Sequence, residues 1–144
     1  MKLDVRLANP LLKSRDDLFS RCVRLCAEAA VLSNRALIHE AKMRGSPLPR
    51  LFSGVVIYEN EPENQVDELV DIPTLIKRGH GDCLHLSAWR VAELREDGEA
   101  RARIVVSRQR KFLKPGASAP ARIFHVLVRR GNGTKEDPSK ILGM

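Results

Sequence analysis

The feature that most limits how this chain folds is one helical segment apolar on nearly every side. From about Asp82 to Asp97, ended by Gly98, the residues Leu84, Leu86, Ala88, Trp89, Val91, Ala92 and Leu94 cover most of a helix's circumference. A helix of that kind has no face to give to water, so the rest of the domain must wrap it. With 144 residues the chain has length for one domain, 1–144, around one core.

The remaining pattern supplies the wrapping. Leu3, Val5 and Leu7 alternate with Asp4 and Arg6, which predicts a half-buried strand over residues 2–8, ended by Pro10. A long helix is expected from about Arg15 to Arg44, with Ser14 and Asp17 as a capping box and Gly45 and Pro47 as the stop. Leu18, Cys22, Leu25, Ala29, Leu32 and Ala36 follow three-four spacing and are expected to form its inward stripe, widened by Phe19, Val23, Cys26 and Ala30. Arg21, Arg24, Glu28 and Arg35 are then its outward face. Residues 46–64 read as loop, a short strand within Val55-Val56-Ile57-Tyr58, and an acidic loop. Pro73 is placed to open a short helix through Lys77, and Gly79 and Gly81 are expected to bracket a tight turn. Strands are expected at Ala100 to Ser107 and Ala121 to Arg130, followed by a Gly131-Asn132-Gly133 hairpin turn and a short returning strand. The fold class is α+β.

Charge is uneven as well as positive. The formal net charge is +7, with six acids and no base from Glu59 to Asp71 and six bases and no acid from Arg101 to Lys114. Basic runs track phosphate backbones. This one has a single aromatic residue, Phe112, and so lacks a platform for stacking bases. A solvated face is the preferred reading, and nucleic acid is not an expected partner. Three cysteines are an odd number for a disulfide framework and favour a reducing compartment. The first residues have no apolar stretch of the signal-peptide kind, and no run is long enough to cross a bilayer.

Three residues carry candidate chemistry. Cys83 follows a glycine-rich turn and falls in the first turn of the apolar helix, where unpaired N–H groups and the positive dipole end stabilise a thiolate. His125 interrupts the apolar strand Ile123-Phe124-His125-Val126-Leu127-Val128. A three-residue Gly131-Asn132-Gly133 loop pairs Arg130 with Thr134, so the numbers of paired residues add to 264. Asp137 then falls opposite Leu127, on the same face as His125 and diagonal to it, within reach of an imidazole–carboxylate hydrogen bond. A two-residue turn would put Asp137 on the other face. The expected mechanism is a thiolate–imidazolium pair of Cys83 and His125, oriented by Asp137 and attacking an amide or ester carbonyl.

Gly81-Asp82-Cys83, Ala88-Trp89-Arg90, Ala92-Glu93-Leu94-Arg95, Gly98, His125 and Asp137-Pro138 together resemble the transglutaminase-like core. They are similar to versions of it encoded by tailed phages and prophages. The resemblance covers about residues 73–138. It implies a papain-like arrangement, with a central helix bearing the cysteine packed on an antiparallel sheet bearing histidine and aspartate. It also implies a protein or peptide substrate, phage structural proteins as possible partners, a setting in the bacterial host cell or the virion, and no cofactor. Such proteins usually carry an acidic residue two after the cysteine, where this chain has His85. The alternative is a virion or assembly module that keeps the fold without turnover.

Other residues have competing readings. His80, Asp82 and Trp89 are candidates for the oxyanion site or substrate cleft, with Asp82 chiefly a helix cap and Trp89 chiefly a core anchor. His80, Cys83 and His85 have soft ligand atoms suited to zinc but match no familiar spacing, and metal binding is not expected. His85 and His39 are read as surface residues, and Cys22 and Cys26 as packing.

Overall fold

The computed structural model describes residues 15–60, 68–111, 115–116, 118 and 121–144. The strand expected at residues 2–8 and the Ser14 cap lie outside the described residues. The order of elements is α1 (Arg15–Met43), β1 (Ile57–Tyr58), α2 (Ile72–Arg78), β2 (His80–Gly81), α3 (Cys83–Glu96), β3 (Arg103–Lys111), β4 (Ala121–Arg129), β5 (Lys135–Glu136) and α4 (Pro138–Ile141). The architecture is α+β, as the alternating periods require.

α3 is the hub. Leu86, Ala88, Trp89, Val91 and Ala92 are fully buried, and α3 is packed between α1 and the antiparallel sheet β3-β4-β5. Asp82 caps it by accepting the His85 N–H at 2.9 Å. β1 and β2 form a separate parallel pair, Ile57 beside His80 and Tyr58 beside Gly81, which seats the entry to α3.

α1 has the expected limits but is rotated, so that Val23 and Ala30, from the edge of the expected inward set, face the core. Its buried residues are Ala27, Ala30, Val31, Asn34 and Ile38. Leu25 and Leu32, the centre of the expected inward stripe, are 69% and 64% exposed. The reason is steric: small residues at Ala27, Ala30 and Val31 let α1 approach α3 closely, where a row of leucines would hold it off. Asn34 goes inside because its Oδ1 accepts the Ile72 N–H at the start of α2, 3.2 Å away.

The turn expected at Gly79 and Gly81 is half present. Gly79 ends α2 with φ at +78°, donating its N–H to Leu75. Gly81 instead lies in β2, where space is the constraint. A Cβ there would sit 3.0 Å from Leu75 Cδ2 and 3.4 Å from both His85 Cβ and Leu86 Cδ2. Leu75 and Leu86 are buried and have little room to move. Gly81→Ala is therefore expected to destabilise the fold by about 1–3 kcal/mol, the usual cost of overpacking. Urea denaturation of the two proteins measures it, and an unchanged midpoint would refute the packing argument.

Candidate functional site

The hairpin after β4 adopts the three-residue loop. Gly133 takes φ +89°, Arg130 N–H bonds Thr134 O at 2.8 Å, and Val128 pairs with Glu136 and Arg129 with Lys135. That register is the one in which paired numbers add to 264, and it carries Asp137 to the level of Leu127. His125 Nε2 and Asp137 Oδ2 are 2.8 Å apart. The imidazole side chain is 13% exposed and the carboxylate 18%. Asp137 also caps α4 by accepting the Lys140 N–H, which fixes the carboxylate from its other side.

The register also explains how α3 meets the sheet. Because Arg130 N–H points toward the β5 side, alternation turns the N–H and C=O of Val126 the same way. β5 ends at Glu136, and the position opposite Val126 is Pro138, which has no N–H to offer. α3 fills the gap. Ser87 Oγ donates to Val126 O at 3.0 Å, and the Val126 N–H is near enough to the Cys83 sulfur to pull its thiol down. Ser87 thus clips α3 to the strand residue next to His125, with Cys83 one helical turn before it. Among the described residues no hydrogen bond joins the thiol to the imidazole.

The electrostatics of Cys83 run against a standing thiolate. Burial pushes the thiol up, and the Asp82 charge pushes it further, to about 11; the N–H groups of Val126, Leu84 and Cys83 itself pull it back only in part. The expected thiolate–imidazolium pair is therefore replaced by a resting thiol. Desolvation outweighs the helix N-terminus here because the half-buried sulfur packs against the core.

His85 is not at the surface. It is 3% exposed, with Nδ1 2.7 Å from Asp82 Oδ1 and Nε2 2.7 Å from the Glu68 carbonyl. Burial pushes the Asp82 carboxyl up, but hydrogen bonds and charge from His85 outweigh it and hold the carboxyl below its ordinary range. The pair staples the chain at Glu68 to the cap of α3. Trp89 is fully buried and walls no cleft; it is an anchor of the core. His80 is partly open, its Nδ1 3.8 Å from Glu59 Oε2. His39 is on the surface as expected, bonded to Glu96 at 2.9 Å. Cys22 and Cys26 are half-buried on α1, and among the described residues no cluster of three or more metal-ligating side chains forms.

Tyr58 is the site residue that sequence reading missed. Burial raises its phenol, and the charges of Cys83, Asp82 and Asp137 raise it further, in that order. Its ring therefore lies within electrostatic reach of both the nucleophile candidate and the carboxylate that holds His125. Its hydroxyl donates to Asn60 Oδ1 at 2.6 Å, and its N–H bonds Leu142 O after α4. The pairing of Tyr58 with Gly81 and its bond to Leu142 make this placement, and both are tertiary contacts with no sequence signature. No helix among the described residues is long and apolar enough to cross a membrane. Compared with protein-family models, curated proteins and solved structures, the chain matches none of them.

Proposed function

We propose that the chain carries out thiol-dependent acyl transfer, most simply hydrolysis of an amide or ester, on a transglutaminase-like, papain-like core with Cys83, His125 and Asp137 as the reacting set. The observation that carries the reading is the 2.8 Å bond between His125 Nε2 and Asp137 Oδ2, formed one residue from Val126, whose N–H acts on the Cys83 thiol. With Nε2 donating to Asp137, the ring's lone pair is on Nδ1, and Nδ1 is the base.

Because the resting thiol keeps its proton, the proton leaves as the carbonyl is attacked. The S–H proton passes to Nδ1 while sulfur bonds the carbonyl carbon, and the oxyanion faces the N–H groups of the α3 start. Collapse breaks the bond to the leaving amine or alkoxide, which takes the proton back from Nδ1 and leaves a thioester on Cys83. Water, or an amine acceptor, reverses these steps and frees the thiol. His80, two residues before the Asp82 cap, and Tyr58, whose phenol feels the charges of Cys83 and Asp137, are the candidates to flank the substrate. No cofactor enters.

A protein or peptide substrate and a phage setting in the host cell or virion follow from the sequence resemblance alone. A second reading, a virion or assembly module without turnover, is favoured by the absent thiol–imidazole hydrogen bond. Mass spectrometry after incubation with a peptide-ester library separates the two. An acyl group on Cys83, absent from Cys83→Ala, supports transfer; a chain that stays unmodified, or is modified equally on Cys22 and Cys26, supports the module.

A further inference from the structure

Between α1 and the sheet lies a cleft of about 620 Å³, away from Cys83, with Arg21 and Arg24 on one wall and Arg103 and Arg129 on the other. The β3–β4 register sets Arg103 directly opposite Arg129, so two guanidinium groups start from Cβ atoms roughly 5 Å apart, an arrangement that costs stability. Arg21 and Arg24 are neighbours one turn apart on the helix, another like-charge pair. A fold normally places a carboxylate among such groups, and the two that line this cleft among the described residues, Asp17 and Glu28, are engaged by other arginines. Asp17 is bonded to Arg108 at 2.9 Å, and Glu28 takes both ends of the Arg95 guanidinium at 2.8 and 3.1 Å. Arg21, Arg24 and Arg103 make no ion pair among the described residues, and Arg129 has only a 3.4 Å bond to the Gly133 carbonyl. Ser20, also in the wall, has a buried hydroxyl without a hydrogen-bond partner among the described residues.

We propose that this cleft binds a ligand bearing two or more phosphates, gripped between the two arginine pairs. The guanidinium fork matches phosphate oxygens two at a time, and an anion between the walls converts two repulsive pairs into attractive contacts. The volume fits a small ligand. Among the described residues no aromatic side chain lines the cleft, and recognition is expected to run through phosphate rather than through bases. This binding is independent of the acyl-transfer reading.

The test titrates the full chain at low salt with inorganic triphosphate, with orthophosphate, and with a short single-stranded oligonucleotide. Triphosphate is expected to bind at least about tenfold more tightly than orthophosphate, weakening as salt rises. Oligonucleotide binding stronger per phosphate than triphosphate identifies a nucleic-acid backbone as the source; the reverse identifies a free polyphosphate. The double variant Arg103→Gln, Arg129→Gln is expected to lose about tenfold or more in triphosphate affinity while melting at the same or a higher temperature, since it removes an unrelieved repulsion. Absence of binding by both phosphate-rich probes overturns the proposal. So does a double variant that binds as tightly as the parent, or one that melts well below it.

Discussion

Alkylation of Cys83 by iodoacetamide is expected to be slow at neutral pH and to rise about tenfold per pH unit until it levels near pH 11. The thiolate is the reacting species, and burial together with Asp82 raises the thiol to about 11, so roughly one thiol in 10,000 is ionised at pH 7. A preformed ion pair with His125 would give fast labelling, flat from mildly acid pH upward; that profile would refute the resting-thiol mechanism. The same shift predicts a stability effect of fixed sign. The folded state binds this proton more tightly than the unfolded chain, whose thiol titrates near its ordinary value of 9.0. The contribution is complete below pH 9 and is lost as pH climbs toward 11. Two pH units correspond to about 2–3 kcal/mol. Comparing urea midpoints of the parent and Cys83→Ser across pH 8 to 11 isolates the thiol, and the parent is expected to lose more stability over that window. Parallel losses in the two proteins would contradict it.

How much of this was legible in the chain depends on whether the cause was local. The His125–Asp137 bond was readable because a turn with glycine at its left-handed position fixes a register, and a register fixes which side chains share a face. The hub role of α3 was readable because a helix without a polar face has one fate. α1 misled because it has two apolar faces, and the larger residues are on the wrong one; small Ala27 and Ala30 win the inside through close approach. His85 misled for a different reason. A histidine so near a helix start looks exposed until the Glu68 carbonyl and the Asp82 carboxylate are seen to close over it. Tyr58 and the Arg103–Arg129 pair were invisible because both depend on pairing between strands remote in sequence. The resting state of Cys83 was misjudged on the same ground: the helix N-terminus is local and readable, whereas desolvation belongs to the assembled core.

Glu93→Ala is expected to destabilise the fold by about 3 kcal/mol, the loss typical of breaking a buried charged network. Glu93 is 2% exposed. Its Oε1 accepts the buried Leu51 N–H at 2.7 Å, and its Oε2 accepts from Arg90 Nη1 at 3.1 Å. Truncation leaves the Leu51 N–H without an acceptor and opens a hole in the core, while Arg90 keeps only Glu136 and the Phe52 ring, 5.0 Å from its guanidinium carbon. Glu93→Gln retains an acceptor for Leu51 and nearly the same volume, so its loss is expected to be smaller, about 1 kcal/mol. The order of the two variants in urea denaturation is the decisive reading: equal losses would mean that charge alone matters, and a loss under about 0.5 kcal/mol for Glu93→Ala would remove the network from the account. The effect reaches the site because Arg90 bonds Glu136, the residue that precedes Asp137 and pairs with Val128 in the sheet. A loosened Arg90 frees the end of β5, and with it the carboxylate that orients His125. Glu93→Gln is therefore expected to keep any acyl transfer in the folded population, and Glu93→Ala to lower it beyond the fraction that unfolds.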